Sequence, residues 1–172
     1  MFISDLQETE YNSYYKHYVA LASSELNVLD NLKESLSSSL ILLNAISDAK
    51  FNYRYAEDKW TVKELLQHVI DTERIFVYRA LRFSRKDRVN LPGFDQDDFN
   101  KESFANSRGK EELIEDFNAT RLASIALFAS FNDSMMQTIG TASDSAMSVR
   151  ATGFIITGHA IHHLNILKER YL

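Results

Sequence analysis

A chain of 172 residues, 45% of them hydrophobic, is sized for one compact domain spanning residues 1–172; two domains sharing that length would each bury too little apolar surface. One proline, five glycines and no cysteine speak against many short strands and exclude disulfides, thiolate metal sites and a protein thiol nucleophile. The charge of −5 is scattered, without a basic run for phosphates, a basic n-region or an apolar stretch near the ~20 residues that span a bilayer, so the expectation is a cytoplasmic protein binding neither nucleic acid nor membrane.

Leu29, Leu32, Leu36, Leu40 and Leu43 recur at spacings of three and four, one face of a first helix from about residue 20, or earlier, to Ser47. Thr61-Val62-Lys63-Glu64 has the form of a capping box and opens a second helix, with Leu65, Leu66, Val69, Ile70, Phe76 and Ala80 among its inward positions. Trp60, just before the box, reads as a hydrophobic staple, with a pocket wall as the alternative. The stretch 85–109 carries Pro92, the sole proline, and a third helix begins at Ser107 with Leu113, Ile114, Phe117, Ile125 and Phe128 on one face. Residues 132–147 form an irregular turn with room for a short strand pair, and Ser148 caps a fourth helix running from Val149 to the C-terminus.

The connections set the topology. A helix of about 22 residues is ~33 Å long, and the long crossover between the second and third helices can return along it. Those two helices are therefore expected to run parallel. Glu73 and Arg121 lie near the centres of the apolar arcs of these helices, at mid-length. Lone buried charges are costly, so the two are expected to form an ion pair inside the bundle, the rival being a place on a binding groove. The fourth helix is apolar nearly all round, with Phe154, Ile155 and Ile161 outside its main arc. Either the N-terminal segment with Tyr11, Tyr14, Tyr15 and Tyr18 covers them or a second subunit does; a homodimer is expected, and the tyrosines read as packing.

The chemistry concentrates in histidine. His159 and His163 are four apart on the fourth helix and share a side, so they can present two imidazoles to one ion. His68, the sole histidine of the second helix, is the natural third. His162 lies about 100° round from His163 and should point elsewhere. His68 and the pair sit at the margins of their apolar arcs, which places a metal in a groove on the flank, open to water and substrate. Three imidazoles with an open position suit a catalytic site better than a structural one. A zincin motif fails because Ala160 follows His159, and a ferritin-like di-iron centre fails because Glu64 stands four residues before His68 rather than three. Spacing alone leaves structural histidines as an open alternative.

Four segments in order, Lys59 to His68, Asp71-Thr72-Glu73-Arg74, Leu91-Pro92-Gly93-Phe94-Asp95 and Gly158 to His163, resemble the DinB-like (DinB/YfiT) superfamily. The resemblance runs from about residue 25 to Leu172, closest to the branch with the proline-glycine-phenylalanine-aspartate crossover and an arginine-tyrosine ending, here Arg170-Tyr171. It implies an all-α, up-down-down-up four-helix bundle, in agreement with the parallel second and third helices. It also implies one divalent ion (zinc, nickel or iron) on His68, His159 and His163. The activity it implies is metal-dependent transfer of a low-molecular-weight thiol to a small-molecule substrate. The alternatives are a metal-dependent hydrolase, a non-catalytic metal-binding stress-response module, and a purely structural metal site.

Overall fold

The computed structural model describes residues 1–172. Three 3-10 turns, Ile3–Asp5, Glu8–Glu10 and Ser13–Tyr15, lead into helix α1 (Lys16–Leu21). The chain continues through α2 (Val28–Ala45), α3 (Asp48–Phe51), α4 (Val62–Ser84), β1 (Asn90–Leu91) and α5 (Gln96–Glu102). A 3-10 turn at Ala105–Ser107, α6 (Lys110–Ala129), α7 (Asp133–Met136), β2 (Ile139–Ala142), β3 (Ser145–Ser148) and α8 (Val149–Arg170) complete it. None of these helices is long and apolar enough to cross a membrane.

Side-chain caps explain where three of the four long helices begin. Asn27 accepts the Asp30 amide at 3.0 Å, and Ser148 accepts the Ala151 amide at 3.1 Å. The capping box is complete: Thr61 Oγ1 accepts the Glu64 amide at 3.1 Å while Glu64 accepts the Thr61 amide at 2.7 Å. The first helix starts at Val28, not near residue 20. Asn31 holds a sharp turn ahead of it, taking the Ser23 amide at 2.8 Å and donating to the Leu26 carbonyl at 2.9 Å, and α1 stands apart. The third helix begins at Lys110 rather than Ser107, because Phe104 adopts a left-handed conformation (φ 51°) and Arg108 an extended one around a separate 3-10 turn.

Pairwise contacts establish the directions. Thr61 bonds Asn106 at the start of α4 and α6 (2.7 Å), Arg121 bonds Glu73 midway (2.8 Å), and Arg85 lies over Phe131 near their ends, so these helices run parallel as expected. Lys110 at the start of α6 reaches the Ile46 carbonyl just beyond α2, at 2.6 Å, so α2 opposes them. Helix α8 follows α2, with Gly153 against Val28 at one end and Lys50 bonded to the Tyr171 carbonyl at the other. The bundle is up-down-down-up.

The crossover is more structured than an extended return. Its β1 pairs in parallel with β2, Leu91 opposite Ala142, and β2 pairs antiparallel with β3 through a two-residue turn at Ser143 and Asp144, both left-handed (φ 51° and 58°). Two positive φ values match the twist that a tight hairpin needs.

Two apolar clusters fill the interior, one around Leu32, Phe76, Phe128 and Ile156 and the other around Leu36, Ile70, Phe117 and Ala160. Between them in each helix lies a polar layer. Arg121 donates from Nε to Glu73 Oε1 at 2.8 Å and from Nη2 to Oε2 at 2.9 Å, with side chains 0% and 2% exposed. Ser124 donates to Glu73 at 2.6 Å, and Arg121 Nη1 donates to Ser35 and to the Leu32 carbonyl. The predicted ion pair is present.

The apolar surplus on α8 is covered by the chain's own N-terminal segment: Phe154 and Ile155 are buried in the cluster that also holds Val19 and Ala22, with Ile3, Leu6 and Tyr11 packed against it. Two of the three residues that suggested a homodimer are thus taken up within the chain, while Ile161 stays half-buried. Gly158 permits this approach, since a Cβ there would stand 1.8 Å from the Tyr18 carbonyl oxygen.

Candidate metal centre

Antiparallel packing of α4 on α8 sets the start of one helix beside the end of the other, and this brings His68 opposite His159 and His163. The Nε2 atoms of His68 and His159 lie 3.0 Å apart, those of His163 and His159 3.1 Å apart. All three residues offer a ring nitrogen within 4.8 Å of the others, forming the molecule's one such cluster. His162 turns away, as its phase on the helix demands, and pairs with His17 of α1 at 2.9 Å.

Burial, with no compensating carboxylate, disfavours the charged imidazolium. It pulls His68 down to about 4. Burial and then the neighbouring His68 and His162 push His163 down to about 2. His159 is held well below its ordinary value by burial first and by the other imidazoles second. The three rings are therefore neutral at physiological pH, the state in which imidazole has a lone pair to give.

Aromatic rings hold the cluster. Trp60 leans on His68 (centroids 4.8 Å apart, planes at 45°), and Tyr18 meets His159 edge-on at 5.4 Å. Trp60 is thus a wall of the histidine cluster. A cavity of about 250 Å³ opens beside His68 and His159, and Tyr14, Tyr15 and Tyr18 of the N-terminal segment line it together with Phe76, Phe94 and Arg79. This corrects the reading of the tyrosines as packing alone: three of the four face the cavity, while Tyr11 packs on the core. Glu73 also reaches the wall, so the ion-pair and groove readings of that residue are both met. Arg79 was missed by sequence reasoning. The available signal was its place on α4, eleven residues and three full turns from His68, which returns it to the same face.

The DinB superfamily profile matches residues 31–167. No curated protein matches the sequence significantly. Among solved structures, YfiT from Bacillus subtilis, a probable metal-dependent hydrolase with an unusual four-helix bundle topology, superposes with a TM-score of 0.67 at 12% identity, over 95% of this chain and 89% of YfiT. A mycothiol-dependent maleylpyruvate isomerase superposes with a TM-score of 0.66 at 10% identity, over 95% of this chain. This chain spans 62% of the isomerase's length. At such identities the superpositions establish the fold alone, and the profile match over most of the chain establishes the lineage: this protein belongs to the DinB superfamily.

Proposed function

We propose that His68, His159 and His163 hold one divalent metal ion, zinc, nickel or iron, and that the protein is a metal-dependent enzyme transferring a low-molecular-weight thiol to a small electrophilic substrate. The observation that carries the metal is the convergence of three neutral imidazoles through Nε2. Ligand nitrogens about 2.05 Å from a tetrahedral ion stand roughly 3.3 Å apart. The two spacings from His159, 3.0 and 3.1 Å, need only a few tenths of an ångström of spreading, and His68 and His163 lie within 4.8 Å of each other. All-imidazole ligation suits several late transition metals. A divalent ion there would supply Lewis acidity, lowering the pKa of the thiol or water that completes its shell.

The chain's own residues favour thiol transfer over hydrolysis. Hydrolysis is helped by a general base beside the attacking water, and the cavity offers none: both carboxylate oxygens of Glu73 are taken by Arg121. Burial and then Tyr14 raise Tyr18 to about 12, which keeps its phenol a donor. Hydrolysis is the second reading, supported by the description of YfiT. A cavity beside the histidines argues against a purely structural ion.

The test is metal content and turnover together. His159→Ala should abolish stoichiometric metal on elemental analysis and His162→Ala should retain it; the reverse would sink the assignment. Loaded protein should consume a chromogenic electrophile only when a cellular thiol is added. Ester or amide cleavage without thiol would establish hydrolysis instead, and no turnover of either kind would leave the non-catalytic stress-response module.

A further inference from the structure

Arg79 is 2% exposed, yet no carboxylate lies within salt-bridge distance of it. Its Nη2 donates to the Pro92 carbonyl at 3.0 Å and reaches Ser143 Oγ at 3.5 Å. Tyr15 beside it contributes a hydroxyl and no charge. Nε and Nη1 have no carboxylate to bond. A buried ion is costly to leave without a counter-charge, and a guanidinium keeps its proton in any protein environment. The other charged side chain on the cavity wall, Glu73, is neutralised by Arg121, so the cavity carries a net positive charge from Arg79 alone.

The same wall also carries a hydroxyl without a partner. The buried Thr72 hydroxyl has no hydrogen-bond partner, and His68, Thr72, Phe76 and Arg79 follow one stripe of α4 at spacings of four, four and three. The guanidinium carbon lies 5.0 Å from the Phe76 ring centre, so the side chain folds back toward the histidines, as helical side chains tilt toward the N-terminus. Eleven residues of helix rise about 16 Å. Both side chains lean toward the N-terminus, the longer arginine further, so the cationic end and the imidazole end stand apart by somewhat less than that rise. Between them the surface is aromatic and aliphatic: Phe76, Ile155, Ile156 and the tyrosines.

We infer that Arg79 anchors the acidic group of the molecule that fills this cavity, and that this ligand is a small organic carboxylate on an apolar body. Its placement with the far end at the histidines rests on the reading of those residues as the reactive end; its preference for an anion does not. The rival is that Arg79 only clasps the crossover through Pro92 and Ser143, which needs a donor and no charge.

Titration calorimetry on the full-length protein, zinc-loaded and again in EDTA, separates these. The probes are 4-phenylbutyrate, hexanoate and octanoate against their neutral amides. The acid of best fit should bind about tenfold more tightly than its amide, as charge-assisted hydrogen bonds are about twice as strong as neutral ones. Arg79→Gln, which keeps a donor for Pro92, should bring the ratio to within about twofold, while Arg79→Lys should retain a preference for the acid. Equal binding of acid and amide by the native protein, a preference that persists in R79Q, or no binding by any acid of the series overturns the proposal. Zinc and EDTA arms that coincide because no zinc binds would sink the histidine assignment and leave this comparison intact.

Discussion

Replacing Arg121 by methionine removes the cation and leaves the Glu73 carboxylate in a layer closed above and below by apolar clusters. Of the three hydrogen bonds Glu73 accepts from Arg121 and Ser124, one from Ser124 remains. Breaking one side of a buried pair costs ~3–5 kcal/mol, mostly by stranding the partner. An unfolding entropy of about 2.1 cal/mol/K per residue amounts to ~0.36 kcal/mol/K for this chain, so Tm should fall by roughly 8–14 °C. The double variant Glu73→Met with Arg121→Met should recover most of that loss, since an apolar pair strands no charge. The polar neighbours are provided for: Ser124 also bonds the Thr120 carbonyl at 2.9 Å, and Ser35 the Leu32 carbonyl at 3.3 Å. Urea or thermal unfolding of the two single variants and the double variant closes the cycle. R121M within 1 kcal/mol of wild type (about a fivefold change in equilibrium constant), or a double variant no more stable than R121M, would refute the reasoning.

Gly158→Ala would ordinarily stabilise a helix by about 0.5–1 kcal/mol, but here its methyl meets the Tyr18 carbonyl; Tm should fall and limited proteolysis ahead of α2 should quicken, and a rise in Tm would disprove the close approach. Trp60 is the sole tryptophan and touches His68, so zinc should change its fluorescence in wild type and His162→Ala but not in His159→Ala; an unresponsive wild type would count against the site. Folded His68 takes a proton only near pH 4, whereas the unfolded chain takes it near the ordinary 6.5. The unfolded state binds more protons in that window, so metal-stripped protein should lose stability as pH falls from 6.5 to 4. His68→Gln should lessen that slope, leaving the share that His159 and His163 contribute, and an unchanged slope would refute the assignment.

Much of the bundle was legible because helices are written in local signals. The Thr61–Glu64 box and Ser148 act within one turn of the residues they cap, and the leucine spacing of α2 needs only its own period. Where the reading slipped, the determinant lay outside the helix concerned. The separation of α1 from α2 depends on an asparagine reaching back eight residues to Ser23, and α6 starts late because of backbone turns at Phe104 and Arg108. The parallel strand β1 could not be anticipated, since Leu91 finds its partner Ala142 only after the crossover has returned.

The site divides along the same line. Sequence by itself determined that His159 and His163 share a face and that His162 does not, because helical phase holds wherever the helices go. The expense of burying a lone charge made Glu73 and Arg121 the expected pair, with a groove as the rival place for them. Tertiary structure alone decided what surrounds the imidazoles: Trp60 against His68, three N-terminal tyrosines across a cavity, and a guanidinium with no carboxylate beside it. Those neighbours come from segments up to about 140 residues apart in the chain, and a contact at that separation leaves no periodic trace in either segment, because it is selected by the packing of whole helices.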